Sequence, residues 1–241
     1  MKILVPTSDN YAHLIEPYYI LLNKYWPNNE VVFLGFNSKK YTLSYNHIPY
    51  LPENCSFVSL GKQEHFGKEW TTPLIPYINN IDDEYFAVIM EDMVVVGNVD
   101  LQKIKLLEDE IRSAQADKAI LDSHLRHLCE PYKQGIVKIK QNVGYGQTTL
   151  HPSIWRKDYF LKYLKPGLSA WEFETKNMYD AMNDGANIIF QEGVDDIYKS
   201  MNIYDKGKAV PRWDSKDVWG CASHTHISDE DKNLVLGYIN E

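Results

Sequence analysis

The sequence predicts an α/β fold in which a mostly parallel central sheet is flanked by helices. Short apolar strands alternate with helical patterns over the first hundred residues, as parallel βαβ construction requires. The run Tyr85-Phe86-Ala87-Val88-Ile89-Met90 is apolar on both faces, which suits a central strand covered by helices on each side. With 44% hydrophobic and 24% charged residues over 241 positions, the chain can bury a core of that size and is neither disordered nor fibrous.

Taken in order, Lys2 to Val5 is a buried strand ended by Pro6 and the polar cluster Thr7-Ser8-Asp9-Asn10. Pro17 suits the first turn of a helix that Ile20, Leu21, Leu22 and Tyr25 continue until Trp26-Pro27-Asn28-Asn29 stops it. Val31 to Phe36 is a second strand, Asn37 to Pro52 a tyrosine-rich loop, and Ser56 to Leu60 a third strand. In Trp70-Thr71-Thr72-Pro73 a threonine caps a helix with proline at its first position, and Leu74, Ile75 and Ile78 form the apolar face. The central strand follows and ends abruptly in Glu91-Asp92.

Further on, Leu101 to Ala114 reads as a helix, Ala119 to Leu121 as a strand, and Gly135 to Leu150 as one or two strands broken at Gly144 and Gly146. Ser153 to Leu164 reads as an amphipathic helix, Ser169 to Met182 as another, and Ile188 to Phe190 as the last clear strand before a polar tail. No repeat or linker divides the chain, so 1–241 is expected to be one domain with a nucleotide-type half (1–100) and an acceptor-type half (101–241).

A net charge of −8 argues against binding to a nucleic-acid backbone, since no basic field is present to release counterions. Cys55, Cys129 and Cys221 are dispersed and odd in number, so no disulfide framework is expected; with no apolar stretch long enough to span a membrane, a cytoplasmic location is the simplest expectation. There is no G-x-G-x-x-G, no P-loop and no G-x-S-x-G, which disfavours dinucleotide, P-loop and serine hydrolase chemistry. The 17 Tyr and 6 Trp suit stacking on sugars or bases, and serve equally in half-wet cores.

Glu91-Asp92 is the strongest chemical signal. Ligands of open α/β sheets bind outside the carboxyl ends of the strands. Two adjacent carboxylates there repel each other unless a hard divalent cation, Mn2+ or Mg2+, sits between them and a ligand's phosphate oxygens. The alternative is a solvated acidic turn like Asp82-Asp83-Glu84.

With its opening strand and Pro6-Thr7-Ser8-Asp9, its strand Val31 to Phe36 and the run Phe86 to Asp92, the chain resembles the nucleotide-sugar-dependent glycosyltransferases of GT-A fold, with their Rossmann-type sheet. The resemblance implies that the strand-end acids, here Glu91-Asp92-Met93, hold the metal on a donor diphosphate; the third position lacks a carboxylate, which makes Asp92 the chief ligand with Glu91 assisting or touching the nucleotide. It also implies that Thr7, Ser8 and Asp9 bind the base and ribose of a UDP-sugar, although Ser8 or Asp9 can equally cap the next helix. Trp70 either stacks on the base or packs on the sheet.

Ser169 and Glu172 have the spacing of a capping box. Trp171 and Glu174 share a helix face, while Glu172 and Glu174 lie about 200° apart and cannot enter one cleft together. The stretch looks like the W-x-x-E of inverting GT-A enzymes. That implies Glu174, or failing it Glu172, as general base, with Trp171 beside the sugar. His226, near the C-terminus with His224, is either a further metal ligand by the same resemblance or a surface histidine. His151 and Trp155 are candidates to line an acceptor pocket, and Lys208, with Lys206 and Arg212, to offset charge on the departing diphosphate. The expected partners are thus a nucleotide-sugar donor and a glycan or other hydroxyl acceptor. The alternatives are a non-catalytic carbohydrate-binding domain and a metal-dependent nucleotidyltransferase.

Overall fold

The computed structural model describes residues 1–36, 51–63, 70–143, 146–193, 195–205, 208–209 and 227–239. In chain order its elements are β1 (Lys2–Pro6), α1 (Ile15–Tyr25), β2 (Glu30–Gly35), β3 (Cys55–Ser59), α2 (Thr71–Asn80), β4 (Tyr85–Val88), β5 (Met93–Val95), α3 (Leu101–Arg112), β6 (Lys118–Ile120), β7 (Cys129–Lys133), β8 (Ile136–Ile139), β9 (Ser153–Arg156), α4 (Lys157–Tyr163), α5 (Ala170–Ala181), β10 (Ile188–Gln191), β11 (Ser200–Asn202), β12 (Tyr204–Asp205), β13 (Lys208–Ala209) and α6 (Asp229–Ile239). A 3-10 turn, Asp9–Leu14, joins β1 to α1.

One nine-stranded sheet, in the order β3-β2-β1-β4-β9-β6-β10-β8-β7, takes strands from both halves of the chain. β3, β2, β1 and β4 run parallel; β9 is antiparallel to β4 and β6, β10 is parallel to β6, and β8 is antiparallel to β10 and β7. All strands except β9 and β8 therefore share one direction, and the sheet is mostly parallel, as expected.

Alternation along each strand builds two cores. Ile3, Val5, Val31, Phe33 and Ala87 face one way, onto Tyr18 and Leu21 of α1 and onto Ile104 and Leu107 of α3. Leu4, Val32, Phe86 and Val88 face the other way, onto Leu74 and Ile78 of α2, Phe160 of α4 and Phe173 of α5. Burying each such large side chain contributes about 1.5–3 kcal/mol, which is why the strands read as unbroken apolar runs.

Three expectations are corrected. Ser153 to Leu164 is not one helix: the first four residues are β9, hydrogen-bonded between β4 and β6, and only Lys157–Tyr163 is helical. α2 begins at Thr71 with Trp70 at its N-cap and no side-chain cap; Thr71 Oγ1 instead donates to Lys165 O at 2.6 Å and accepts from the Leu168 N–H at 3.0 Å, tying α2 to the turn before α5. The polar tail contains α6. The loop expected over Asn37 to Pro52 lies outside the described residues up to position 50. Among the described residues, no helix is long and apolar enough to cross a membrane.

α6 is fixed by Asp231, 2% exposed, whose carboxylate accepts from Lys24 Nζ at 2.8 Å, from Tyr25 Oη and from Ser228 Oγ. Burial alone would raise this carboxyl, but the three hydrogen bonds outweigh it and hold it below the usual carboxylate range. Asp231→Ala is expected to lower stability by about 1–3 kcal/mol in a denaturant titration at pH 7. Because the folded-state value is depressed, the gap from wild type is full above the ordinary carboxylate range and closes as pH falls through the folded value.

Candidate active site

β1 and β4 are parallel neighbours, with Ile3 opposite Ala87 and Leu4 opposite Val88, so their carboxyl ends open onto the same edge of the sheet. From β1 come Thr7 and Ser8, and from β4 come Glu91 and Asp92. Ser8 N–H donates to Glu91 Oε1 at 3.4 Å, joining the two ends. Thr7 Oγ1 and Ser8 Oγ are buried and have no hydrogen-bond partner among the described residues. Ser8 is N-cap of the 3-10 turn but its side chain makes no capping bond, so that alternative is not realised for Ser8. Asp9 is 4% exposed, and its N–H donates to Gln63 Oε1 at 2.9 Å.

The two acids part company. Glu91 is 4% exposed and is absent from the cleft wall; burial first, and then the charge of Asp92, push its carboxyl up to about 8, against hydrogen bonds from its own N–H and that of Ser8. Glu91, expected to assist Asp92 on the metal or to touch the nucleotide, thus meets the Ser8 N–H and leaves Asp92 as the carboxylate of the pair on the cleft. Asp92 is half-buried and faces the cleft, and its carboxyl is pushed up to about 6, by burial first and by the charge of Glu174 opposite, partly opposed by its own backbone N–H. The same negative field, after burial, raises the Tyr11 phenol.

The cleft has a volume of about 310 Å³. Its walls are Met90, Asp92 and Met93 after β4, His124 after β6, Thr148 to His151 before β9, Trp171, Glu174, Thr175 and Met178 of α5, and Asn202 of β11. α5 is aimed by its N-terminus. Ser169 Oγ accepts from the Glu172 N–H at 3.1 Å and Glu172 Oε2 accepts from the Ser169 N–H at 3.0 Å, a complete capping box. Glu172 also pairs with Lys176 at 2.6 Å, and these bonds hold its carboxyl down to about 2. It does not line the cleft, so its expected role as a base is overturned: the cap consumes it.

Glu174 points the other way, as helix geometry requires. Its Oε1 accepts from the Leu150 N–H at 2.6 Å and from Thr149 Oγ1 at 3.1 Å, while Thr148 Oγ1 donates to its backbone carbonyl at 2.9 Å. α5 and the 148–151 segment are thereby fastened across the cleft. Trp171 stands on the rim, 67% exposed.

Two tryptophans expected at ligands are packed elsewhere. Trp155 is fully buried in β9 against Tyr159, Phe160 and Phe173, because the strand turns it away from the cleft; its acceptor-pocket role is corrected to core. Trp70, expected either to stack on the base or to pack on the sheet, packs edge-on against Phe173 of α5 at 5.6 Å and is absent from the cleft wall. His226, Lys206 and Arg212 lie outside the described residues, and Lys208 is described only through its backbone in β13.

Sequence reasoning missed Asp122, at the end of β6, and the buried Lys118 that begins that strand. Asp122 had a signal: an acid ending the apolar run Ala119-Ile120-Leu121, as Glu91-Asp92 ends β4. Lys118 had none.

The mostly parallel α/β sheet flanked by helices, with an acidic pair after a central strand, is the architecture expected from the sequence. No family model matches the chain, and no curated protein matches it. Among solved structures, it is similar to TarS 1-349 of S. aureus in complex with UDP-GlcNAc (13% identity, TM-score 0.49, covering 81% of this chain and 60% of that one). It is also similar to a UDP-glucose pyrophosphorylase complexed with UDP-glucose (14%, 0.46, 86% and 93%) and to the bifunctional WbbM glycosyltransferase (11%, 0.46, 78% and 38%). The chain thus spans less than two thirds of the TarS structure. Likeness at these identities and TM-scores decides neither reaction nor ligand.

Proposed function

We propose that the chain transfers a glycosyl unit from a nucleoside diphosphate sugar, with UDP-sugars the first to test, to a hydroxyl acceptor, assisted by Mn2+ or Mg2+. The observation that carries this reading is Asp92, set at the carboxyl end of β4 on a cleft whose opposite wall holds a second carboxylate, Glu174, so that negative charge accumulates where a diphosphate and its cation would sit. The hydroxyls of Thr7 and Ser8, buried and unpartnered at the adjacent strand end, fit polar groups of a nucleoside.

Among the described residues no group of three or more His, Cys, Asp and Glu side chains is placed to hold a metal ion. A cation shared with a diphosphate needs only one or two protein carboxylates, all of hard oxygen, and Asp92 meets that requirement alone. When bound, the ion would neutralise charge developing on the departing diphosphate. Asp92 would hold it, Trp171 would offer a flat face to a sugar ring, and Glu174 or His151 would receive the acceptor proton. A single displacement of this kind inverts the anomeric carbon.

Expected results are a rise in Tm with UDP that requires Mn2+, and release of UDP from at least one member of a UDP-sugar panel. At ligand a hundredfold above Kd the linkage is about 2.7 kcal/mol, or roughly 5–10 °C for a chain of this length. Stabilisation by free sugars without nucleotide would identify a carbohydrate-binding module instead. Pyrophosphate release from UTP and a sugar 1-phosphate would identify a nucleotidyltransferase.

A further inference from the structure

β6 and β9 are antiparallel neighbours, with Ile120 opposite Ser153 and the Leu121 N–H donating to Pro152 O at 2.8 Å. This pairing sets the residue that follows β6, Asp122, beside the residue that precedes β9, His151. His151 Nδ1 and Asp122 Oδ2 are 2.6 Å apart, and Asp122 Oδ1 accepts from the His124 N–H at 3.1 Å. Asp122 is 6% exposed and has both oxygens engaged. Burial acts to raise its carboxyl, but His151 and the His124 N–H outweigh this and keep it ionised. An ionised carboxylate only accepts, hence Nδ1 carries the proton and the Nε2 lone pair of neutral His151 is left for the cleft that the ring lines. The His124 ring stacks on His151 at 4.3 Å, nearly parallel, and Ser153 Oγ donates to the His151 carbonyl; ring and backbone are both held.

We propose that His151 is the general base of the transfer and Asp122 the positioning residue that fixes its tautomer and stabilises its charged form, an inference that rests on the nucleotide-sugar reading above. Glu174, its rival, has Oε1 fastened to Thr149 and Leu150 and cannot swing toward an acceptor without releasing that segment. In the step, Nε2 takes the proton of the acceptor hydroxyl. The acceptor oxygen's electron pair forms the bond to the anomeric carbon. The bond from that carbon to the diphosphate oxygen breaks, its pair leaving on UDP, and Nε2 later returns its proton to water.

The test uses the whole chain with UDP-sugars and Mn2+, reading UDP release with water as acceptor. His151→Ala is expected to keep the Mn2+-dependent stabilisation by UDP while losing about 10²–10⁴-fold in rate. Azide, a nucleophile with no proton to lose, should restore UDP release in that variant; His151→Gln is read in the same way if the alanine variant does not fold. The base must be neutral, so the rate rises with pH through the His151 value. Burial lowers that value, but Asp122, and more weakly Glu174, outweigh both it and the charge of Lys118, so it stands above the usual 6.5. Asp122→Asn should therefore move the acid limb to lower pH as well as slow the reaction. If wild-type protein shows no stabilisation by UDP with Mn2+, the nucleotide-sugar reading falls and this inference with it. If wild type is stabilised and turns over, but His151→Ala is undiminished or Asp122→Asn leaves the acid limb in place, this inference alone falls.

Discussion

Asp92→Asn is expected to raise the stability of the protein alone above pH 6 while abolishing its response to UDP and Mn2+. Burial and Glu174 raise the Asp92 carboxyl to about 6 in the folded chain, above the ordinary value of 3.8. A carboxyl whose folded value is raised favours folding below the unfolded value, and that support is lost as pH rises through the folded value. At pH 7 the ionised group is therefore an electrostatic liability, and asparagine, of nearly the same shape, removes it. Asp92 is only half-buried, so solvent screens the effect and the gain is on the order of 1 kcal/mol. The functional loss runs the other way: without the charge, the cation has no anchor on the protein and UDP release should fall by about 10²-fold or more. Opposite signs in Tm and activity separate loss of a ligand from misfolding. Glu91→Gln should have the smaller effect on turnover, since Glu91 faces the Ser8 N–H rather than the cleft. Survival of the UDP and Mn2+ shift in Asp92→Asn would remove the metal assignment.

The parts legible in the sequence are those fixed by period and by local geometry. The alternation that divides Ile3 and Val5 from Leu4 is visible in the chain, and so is the strand-end pair Glu91-Asp92. Helix geometry alone separates Glu172 from Glu174, and the capping box decides which one faces inward. What could not be read depends on pairing across the chain. Ser153-Ile154-Trp155-Arg156 is too short to reveal a period and runs directly into α4, so only its hydrogen bonds to β4 and β6 distinguish strand from helix. Read as helix, the segment leaves Trp155 a pocket candidate and hides the partnership of His151 with Asp122, which exists because β9 lies antiparallel to β6. α6 was hidden by its acid-rich first turn, whose Asp231 is buried only because Lys24 and Tyr25, some two hundred residues earlier, receive it.

Lys118→Met should show the largest loss of stability, about 2–4 kcal/mol, although it replaces a buried charge with an apolar side chain of similar length. Lys118 is fully buried, and its Nζ lies 4.0 Å from the Trp155 ring centroid. It donates to the carbonyls of Gly146 at 3.0 Å, Gln147 at 3.4 Å and Thr149 at 2.6 Å, matching the three protons of an ammonium. These carbonyls belong to the segment that leads into Leu150 and His151 on the cleft wall, and they turn inward because Gly146 holds φ +110°, where an added Cβ would strike Ile139 and Leu125. Methionine fills the volume but donates nothing, leaving the carbonyls buried without partners. Relief of the desolvated charge offsets part of this loss, and three stranded acceptors outweigh it. Burial lowers the Lys118 value well below its ordinary 10.5, against the opposing pull of Glu174 and Asp122. The unfolded chain therefore binds more protons in the window between the lowered value and 10.5, and wild type gains stability with rising pH there; the methionine variant lacks this gain, so the gap between them widens toward alkaline pH. Turnover should fall with stability, because the carbonyl ladder that Lys118 holds is what places Thr149 and Leu150 against Glu174 of α5 and leads into His151. Chemical denaturation of both proteins at pH 7 and 9.5 measures it: equal stability of wild type and variant at pH 7 would show that Lys118 is not the peg on which that wall of the cleft hangs, and a gap that does not widen by pH 9.5 would show that its proton is not displaced by burial.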